Sequence, residues 1–456
     1  MSPGSHHEHP SAEEILWDVQ GQHLDEAEFL FEVWEDALDA PGYTLAELAE
    51  GLEHRLLAHV NALVIGGPLV AQRLLLPTVE DPDACRERVA AAILAVWNVT
   101  SEQDRDRIIA VLTGGEDGPR DGVARALELV DDPRLDERLV RAIGDVRGRG
   151  TATVLELLAR RRARTGDWLI HFLRSDDLSV VRAATRVARH CLGGPVLAEL
   201  SALAQSEDAA VRHAALEAAL LRQVPGAWES ALYWAFIAEE SPFRRDALTW
   251  VSVLGDAAVQ QRLLALVVLD EHRRDAIWTA GFSGRIAAVD RCMELLADPE
   301  VGPLAGEVVC AIVGLPTDED QFWRTRDPEA DQRWGLPKLQ EDDLEASLIP
   351  EAEEALLVPD PEAIARWWAE RKAAFEAEHR YLGGKVLTAE VMLEALWSAP
   401  MRRRHVLGLE LQLRTGGELT VDSRRLTHQQ EEQLRRMGSV SRLDFQRGLP
   451  GGRWAG

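Results

Sequence analysis

Apolar residues recur through the middle of the chain at the three-and-four spacing of helices that are buried on one side. Val211, Ala214, Ala215, Ala218 and Ala219 fall at i, i+3, i+4, i+7 and i+8, and Phe243, Ala247, Trp250, Val251 and Leu254 keep the same register. Four segments share one pattern: Val181-Arg182-Ala183-Ala184, Val211-Arg212-His213-Ala214, Phe243-Arg244-Arg245-Asp246 and His272-Arg273-Arg274-Asp275. The arginine returns in steps of 30, 32 and 29 residues, which fits two short antiparallel helices and their turns. A helix pair of that size cannot cover its own apolar face, so neighbouring pairs must stack.

The punctuation agrees. Ser241-Pro242 and Asp298-Pro299 set a capping side chain before a proline suited to a first turn, and Gly193-Gly194-Pro195 ends one helix and opens the next. The repeats extend as a fifth unit over 298–315 and as degenerate units at 86–97 and 123–146. The expected organisation is a helical cap over 1–65, a repeat solenoid over 66–316, an acidic, proline-bearing loop over 317–362 and carboxy-terminal helices with a basic tail over 363–456. The cap holds helices at 22–38 and 45–62, and the last section holds helices at 361–378, 388–397 and 401–413.

Charge narrows the partners. The 456 residues include 50 basic and 77 acidic side chains, a net charge of −27, which repels phosphate backbones and anionic lipid. From residue 401 onward the balance reverses, with 11 arginines against 6 acids, a tail that either touches nucleic acid, with only Phe445 and Trp454 as aromatics besides the helix core, or folds back onto the chain's own acidic surface. No nucleic acid and no membrane partner is expected, and with no secretion signal or span-length apolar run the expected location is cytoplasmic.

Catalytic chemistry finds no foothold. Cys85, Cys191, Cys292 and Cys310 lie far apart in apolar helical patterns and read as reduced core residues. His6, His7 and His9 sit in a tail with nothing to support a metal, and His54 and His59, near His23, point to different helix faces. No nucleophile elbow, phosphate-binding loop or dinucleotide motif occurs, so no catalytic residue, cofactor or metal is assigned.

Several residues carry a resemblance. Near the start they are His23, Glu28, Phe29 and Leu30, then Pro41, Tyr43, Leu45 and Leu48, then Arg55, His59 and Leu63. Near the end they are Trp367-Trp368, Arg380-Tyr381-Leu382-Gly383 and the run Arg402-Arg403-Arg404-His405-Val406-Leu407-Gly408-Leu409-Glu410-Leu411. These ends resemble an uncharacterised bacterial family often encoded beside type VI secretion genes, and the central units resemble HEAT-like repeats. Val406, Leu407 and Gly408 depart from the alanines usual in that run. The resemblance implies an all-α fold, an α-solenoid of HEAT-like helical repeats, and a protein-protein interaction scaffold or adaptor accessory to type VI secretion. The rival is an enzyme on the same repeats, of the DNA glycosylase or bilin lyase kind. A protein partner is expected; its identity and the oligomeric state stay open.

Two residue sets are the contact candidates. Arg182, Arg212, Arg244 and Arg273 form either an exposed row that grips an acidic partner or a ladder that binds carboxylates of neighbouring repeats, such as Asp177 and Asp208. Trp323 and Trp334, in the acidic loop, either anchor that loop or wait for a partner.

Overall fold

The computed structural model describes residues 15–144, 147–163, 166, 168–191, 193–238, 242–325, 352–437 and 443–448. The described chain is all-α and built of helical repeats, apart from two short two-stranded ladders. It divides into two compact units, described separately: residues 1–37, 46–224 and 424–429 form one, and 38–45, 225–423 and 430–456 the other. These units cut across the divisions expected from sequence, because the repeats part at residue 225 and the carboxy-terminal section contributes to both.

In the first unit, helices Arg86–Val96, Asp117–Leu129, Arg149–Arg160, Leu178–Ala188 and Ala209–Leu221 pack in succession, each buried over most of its length. Helices Glu102–Gly114, Leu135–Ile143, Leu169–Leu173 and Gly194–Leu203 alternate with them and bury one side only. Asp177 and Asp208 cap two inner helices, accepting from the backbone N–H of Ser179 and Val211. The amino-terminal helix Trp17–Ala37 packs on His54–Ile65 and Arg86–Val96, so the cap is continuous with the repeats. The helix expected over 45–62 is interrupted by a π-helical turn at Ala49–Glu53, which carries the buried Glu53.

In the second unit, inner helices Arg244–Leu254, Arg273–Ala280 and Gly302–Val313 pack in succession, with Ala227–Phe236, Ala257–Leu266 and Ile286–Met293 between them. The later helices Pro361–Arg371, Ala389–Ser398 and Met401–Arg414 lie close to the expected positions. The two ends of the acidic loop are clasped: Trp323 pairs with Pro359 and Arg324 with Val358 in an antiparallel ladder. Among the described residues no single helix is long and apolar enough to cross a membrane, although the pair Leu45–Ile65 and Gly67–Glu80, bent by 101°, passes on length and composition.

Candidate protein-binding site

Two of the repeat arginines stand near carboxylates of neighbouring repeats. Arg182 lies 3.7 Å from Glu156 of the preceding inner helix, and Arg273 pairs with Asp270 and stands 3.5 Å from Asp298. Arg212 donates to the carbonyls of Ser206 and Glu207, and Arg244 to that of Ala238. Asp177 and Asp208, the carboxylates expected to meet them, serve as helix caps. Trp323 is half-buried; its indole N–H donates to the Pro316 carbonyl at 3.0 Å and its ring lies beside Gly306, the arrangement of a loop anchor. Trp334, like His6, His7 and His9, lies outside the described residues.

The residue next to the repeat arginine is the more informative one. Only the third and fourth of the four segments double the arginine, as Arg244-Arg245-Asp246 and Arg273-Arg274-Asp275, and this doubling was the signal available in the sequence. Arg245 and Arg274 converge on the carboxylate of Glu353, carried on the single turn Ala352–Ala355. Arg402 reaches the same carboxylate at 3.4 Å. Beneath them the Arg402 guanidinium stacks 4.2 Å from the Trp278 ring centre, and Arg403 lies 4.2 Å from that of Phe282. Glu307, its side chain 9% exposed, lies 3.2 Å from Arg402 and 3.8 Å from Arg403, but neither oxygen is aligned for a hydrogen bond.

These two carboxylates are held differently. Burial opposes the charge of Glu353, yet Arg245 and Arg274 keep its carboxyl below the ordinary range. Burial dominates at Glu307 and pushes its carboxyl up against the pull of Arg403 and Arg402. The side chains of Arg245 and Arg274 are 42% and 46% exposed, whereas that of Arg402 is 5% exposed, so the socket has a buried floor and a wet rim.

Two of the later residues that carry the resemblance, Arg380 and Glu410, meet inside the second unit. Arg380 grips Glu410 with two bonds, at 2.6 and 3.1 Å, and its remaining donors take the carbonyls of Ser283, Phe282 and Phe445. Arg414 adds a bond of 2.7 Å to the same carboxylate. Glu410 is held below its ordinary pKa although burial opposes it, because both guanidinia face it. This node is saturated and binds the chain to itself.

Sequence reasoning missed a Ser423, His405 and Asp39 constellation. The Ser423 hydroxyl lies 2.5 Å from His405 Nδ1, while Nε2 faces the Leu38 carbonyl at 3.0 Å and the Asp39 carboxylate at 2.9 Å. Two acceptors at Nε2 require its proton there, so the neutral ring accepts from the serine. Burial runs opposite to what a nucleophile needs: Ser423 is 7% exposed, while the Asp39 side chain is 45% exposed. The set ties the 38–45 segment to the helix Met401–Arg414.

In the first unit, His23 and His59 meet with their Nδ1 atoms 3.1 Å apart. Among the described residues no group of three His, Cys, Asp or Glu side chains could hold a metal ion. Cys85 corrects the expectation of four core thiols: it is exposed, precedes the helix Arg86–Val96 and donates to Glu28. The partial desolvation of its sulfur and the neighbouring Glu28 carboxylate push its pKa up to about 11, against thiolate chemistry.

Apolar side chains are left outside on two helices of the second unit. Tyr233 and Ile237, in and just after Ala227–Phe236, are 48% and 61% exposed, and Val268 and Leu269, just after Ala257–Leu266, are 57% and 45% exposed. Arg262 stacks 4.2 Å from the Phe236 ring centre and joins the two helices.

No family model and no curated protein matches the chain. A solved structure of an engineered protein is similar at 14% identity over 86% of this chain and 98% of the other, with a TM-score of 0.27, too low to carry any argument.

Proposed function

We propose that this protein is a scaffold or adaptor that holds another protein on the outward helices of its repeats, in the cytoplasm, as an accessory to type VI secretion. The carrying observation is that Tyr233, Ile237, Val268 and Leu269 stay exposed in and just after two outer helices, while the inner helices bury most of their length in packing. Exposed large apolar side chains on neighbouring elements are the usual mark of a docking surface. The reading is supported by the fate of the charged groups: Glu410, Arg380 and Arg414 are spent on one another and on loop carbonyls. The secretion link rests on the resemblance of the chain's ends.

The test is affinity capture from the native organism with the full chain and with an Ile237→Ser, Leu269→Ser variant. Loss of the specifically captured protein, with helical content unchanged, is the expected result. Undiminished capture would place binding elsewhere and end this assignment of the surface.

A further inference from the structure

We propose that Arg245, Arg274 and Arg402 form a receptor for an anionic side chain of a partner protein, and that Glu353 is its internal stand-in. The first ground is geometric. Three guanidinia meet one carboxylate, which has two oxygens, while Arg402 Nε and Arg403 Nη1 behind it face Glu307 at 3.2 and 3.8 Å. Glu353 therefore does not exhaust the donors of the socket. The second ground lies in the repeat. Arg245 and Arg274 occupy equivalent positions one residue after the recurring arginine, where the first two segments carry Ala183 and His213. Repeat packing does not require an arginine there.

The third ground is electrostatic. In a chain of net charge −27, this cluster gathers Arg245, Arg274, Arg402 and Arg403 against Glu307, Glu353 and Asp275. Withdrawing Glu353 leaves four guanidinia facing two carboxyls, a cationic site that an anionic oxygen group from a partner can fill. Two arginines stand half in water, so that group can arrive from solvent, and the planar forks suit a carboxylate or a phosphate equally. Glu353 sits on one short turn, followed by the buried Leu356 and the exposed Leu357, so the exchange moves little of the fold. A tethered competitor acts at roughly millimolar effective concentration, which sets the affinity an incoming partner must exceed.

The socket is built by Arg245 and Arg274 of two inner helices and Arg402 of Met401–Arg414, whereas the exposed apolar face lies at the outer helices, so either proposal can fail alone. The probe is a fluorescein-labelled peptide with the sequence of residues 352–358, measured by anisotropy against the full chain. Binding about tenfold tighter to Glu353→Ala than to the native chain is expected. It should be lost when Arg274→Ala is added. A second peptide with phosphoserine at the position of Glu353 separates the sources: a further gain of about tenfold assigns a phosphorylated partner, and equal or weaker binding assigns an acidic one. Equal affinity for native and Glu353→Ala proteins, or no binding to a folded Glu353→Ala protein, overturns the proposal. Should Glu353→Ala fail to fold, Glu353→Gln, which keeps the side-chain volume, takes its place. If both unfold, Glu353 is a fixed structural pair and the receptor reading is wrong.

Discussion

At the scale of single residues, burial decides which charges matter. The Glu410 side chain is 2% exposed and faces Arg380 at 4% and Arg414 at 9%, whereas Arg182, near Glu156, is 41% exposed. Removing one member of a buried set strands the others without a counter-charge, which costs about 3–5 kcal/mol, while an exposed pair is worth about 0–1 kcal/mol. Glu410→Ala should therefore lower the free energy of urea unfolding by several times more than Arg182→Ala. Comparable losses would mean that the recurring arginine, and not the node behind the family-like residues, carries the structure.

At the scale of elements, helix propensity and close packing make opposite demands on glycine, and the structure says where each wins. Gly21 lies inside the helix Trp17–Ala37 with nothing within 4 Å of an added Cβ, so Gly21→Ala should stabilise by about 0.5–1 kcal/mol. Gly122 lies inside Asp117–Leu129, where an added Cβ would stand 2.5 Å from the Arg86 carbonyl and 2.8 Å from Val89 Cβ. There the helix must back away from Arg86–Val96, and Gly122→Ala should destabilise by about 1–3 kcal/mol despite the better propensity. Thermal unfolding of the two variants checks both signs. A stabilising Gly122→Ala would show that the two helices do not approach so closely.

The same scale shows what the sequence could tell. Helices expected at 388–397 and 401–413 are found at Ala389–Ser398 and Met401–Arg414, because their apolar period and the Thr388 cap are local signals. Helix Thr427–Arg436 was missed because Leu434 is its one aliphatic residue; Gln430, fully buried, is held by Arg404, and Thr427 donates to Glu53. Polar burial of that kind leaves no period to read. The socket was half legible: the doubled arginines were in view, but Glu353 is 79 residues from Arg274, and no local pattern joins them.

At the scale of the whole molecule, two electrostatic effects of opposite sign compete, and salt separates them. Exposed pairs such as Arg107 with Glu80 and Lys385 with Glu394 favour the folded state, each by about 0–1 kcal/mol, and salt weakens them. Against them stands an excess of 27 negative charges whose mutual repulsion opposes compaction, and salt relieves it over the same range. The buried sets around Glu410 and Glu35 lie inside the fold and are screened far less, so they barely enter the balance. The pairs act over a few ångströms and keep part of their attraction under screening, while repulsion summed over the surface acts beyond the Debye length of about 10 Å at 0.1 M and is lost first. Raising sodium chloride from about 10 mM to about 300 mM at neutral pH should therefore raise the unfolding midpoint, by about 2 °C or more in scanning calorimetry. Chloride is the fair choice, since sulfate would strengthen apolar burial as well. A midpoint that falls as salt is added would mean that the surface pairs outweigh the net charge and that the fold is more tightly laced by its arginines than their exposure suggests.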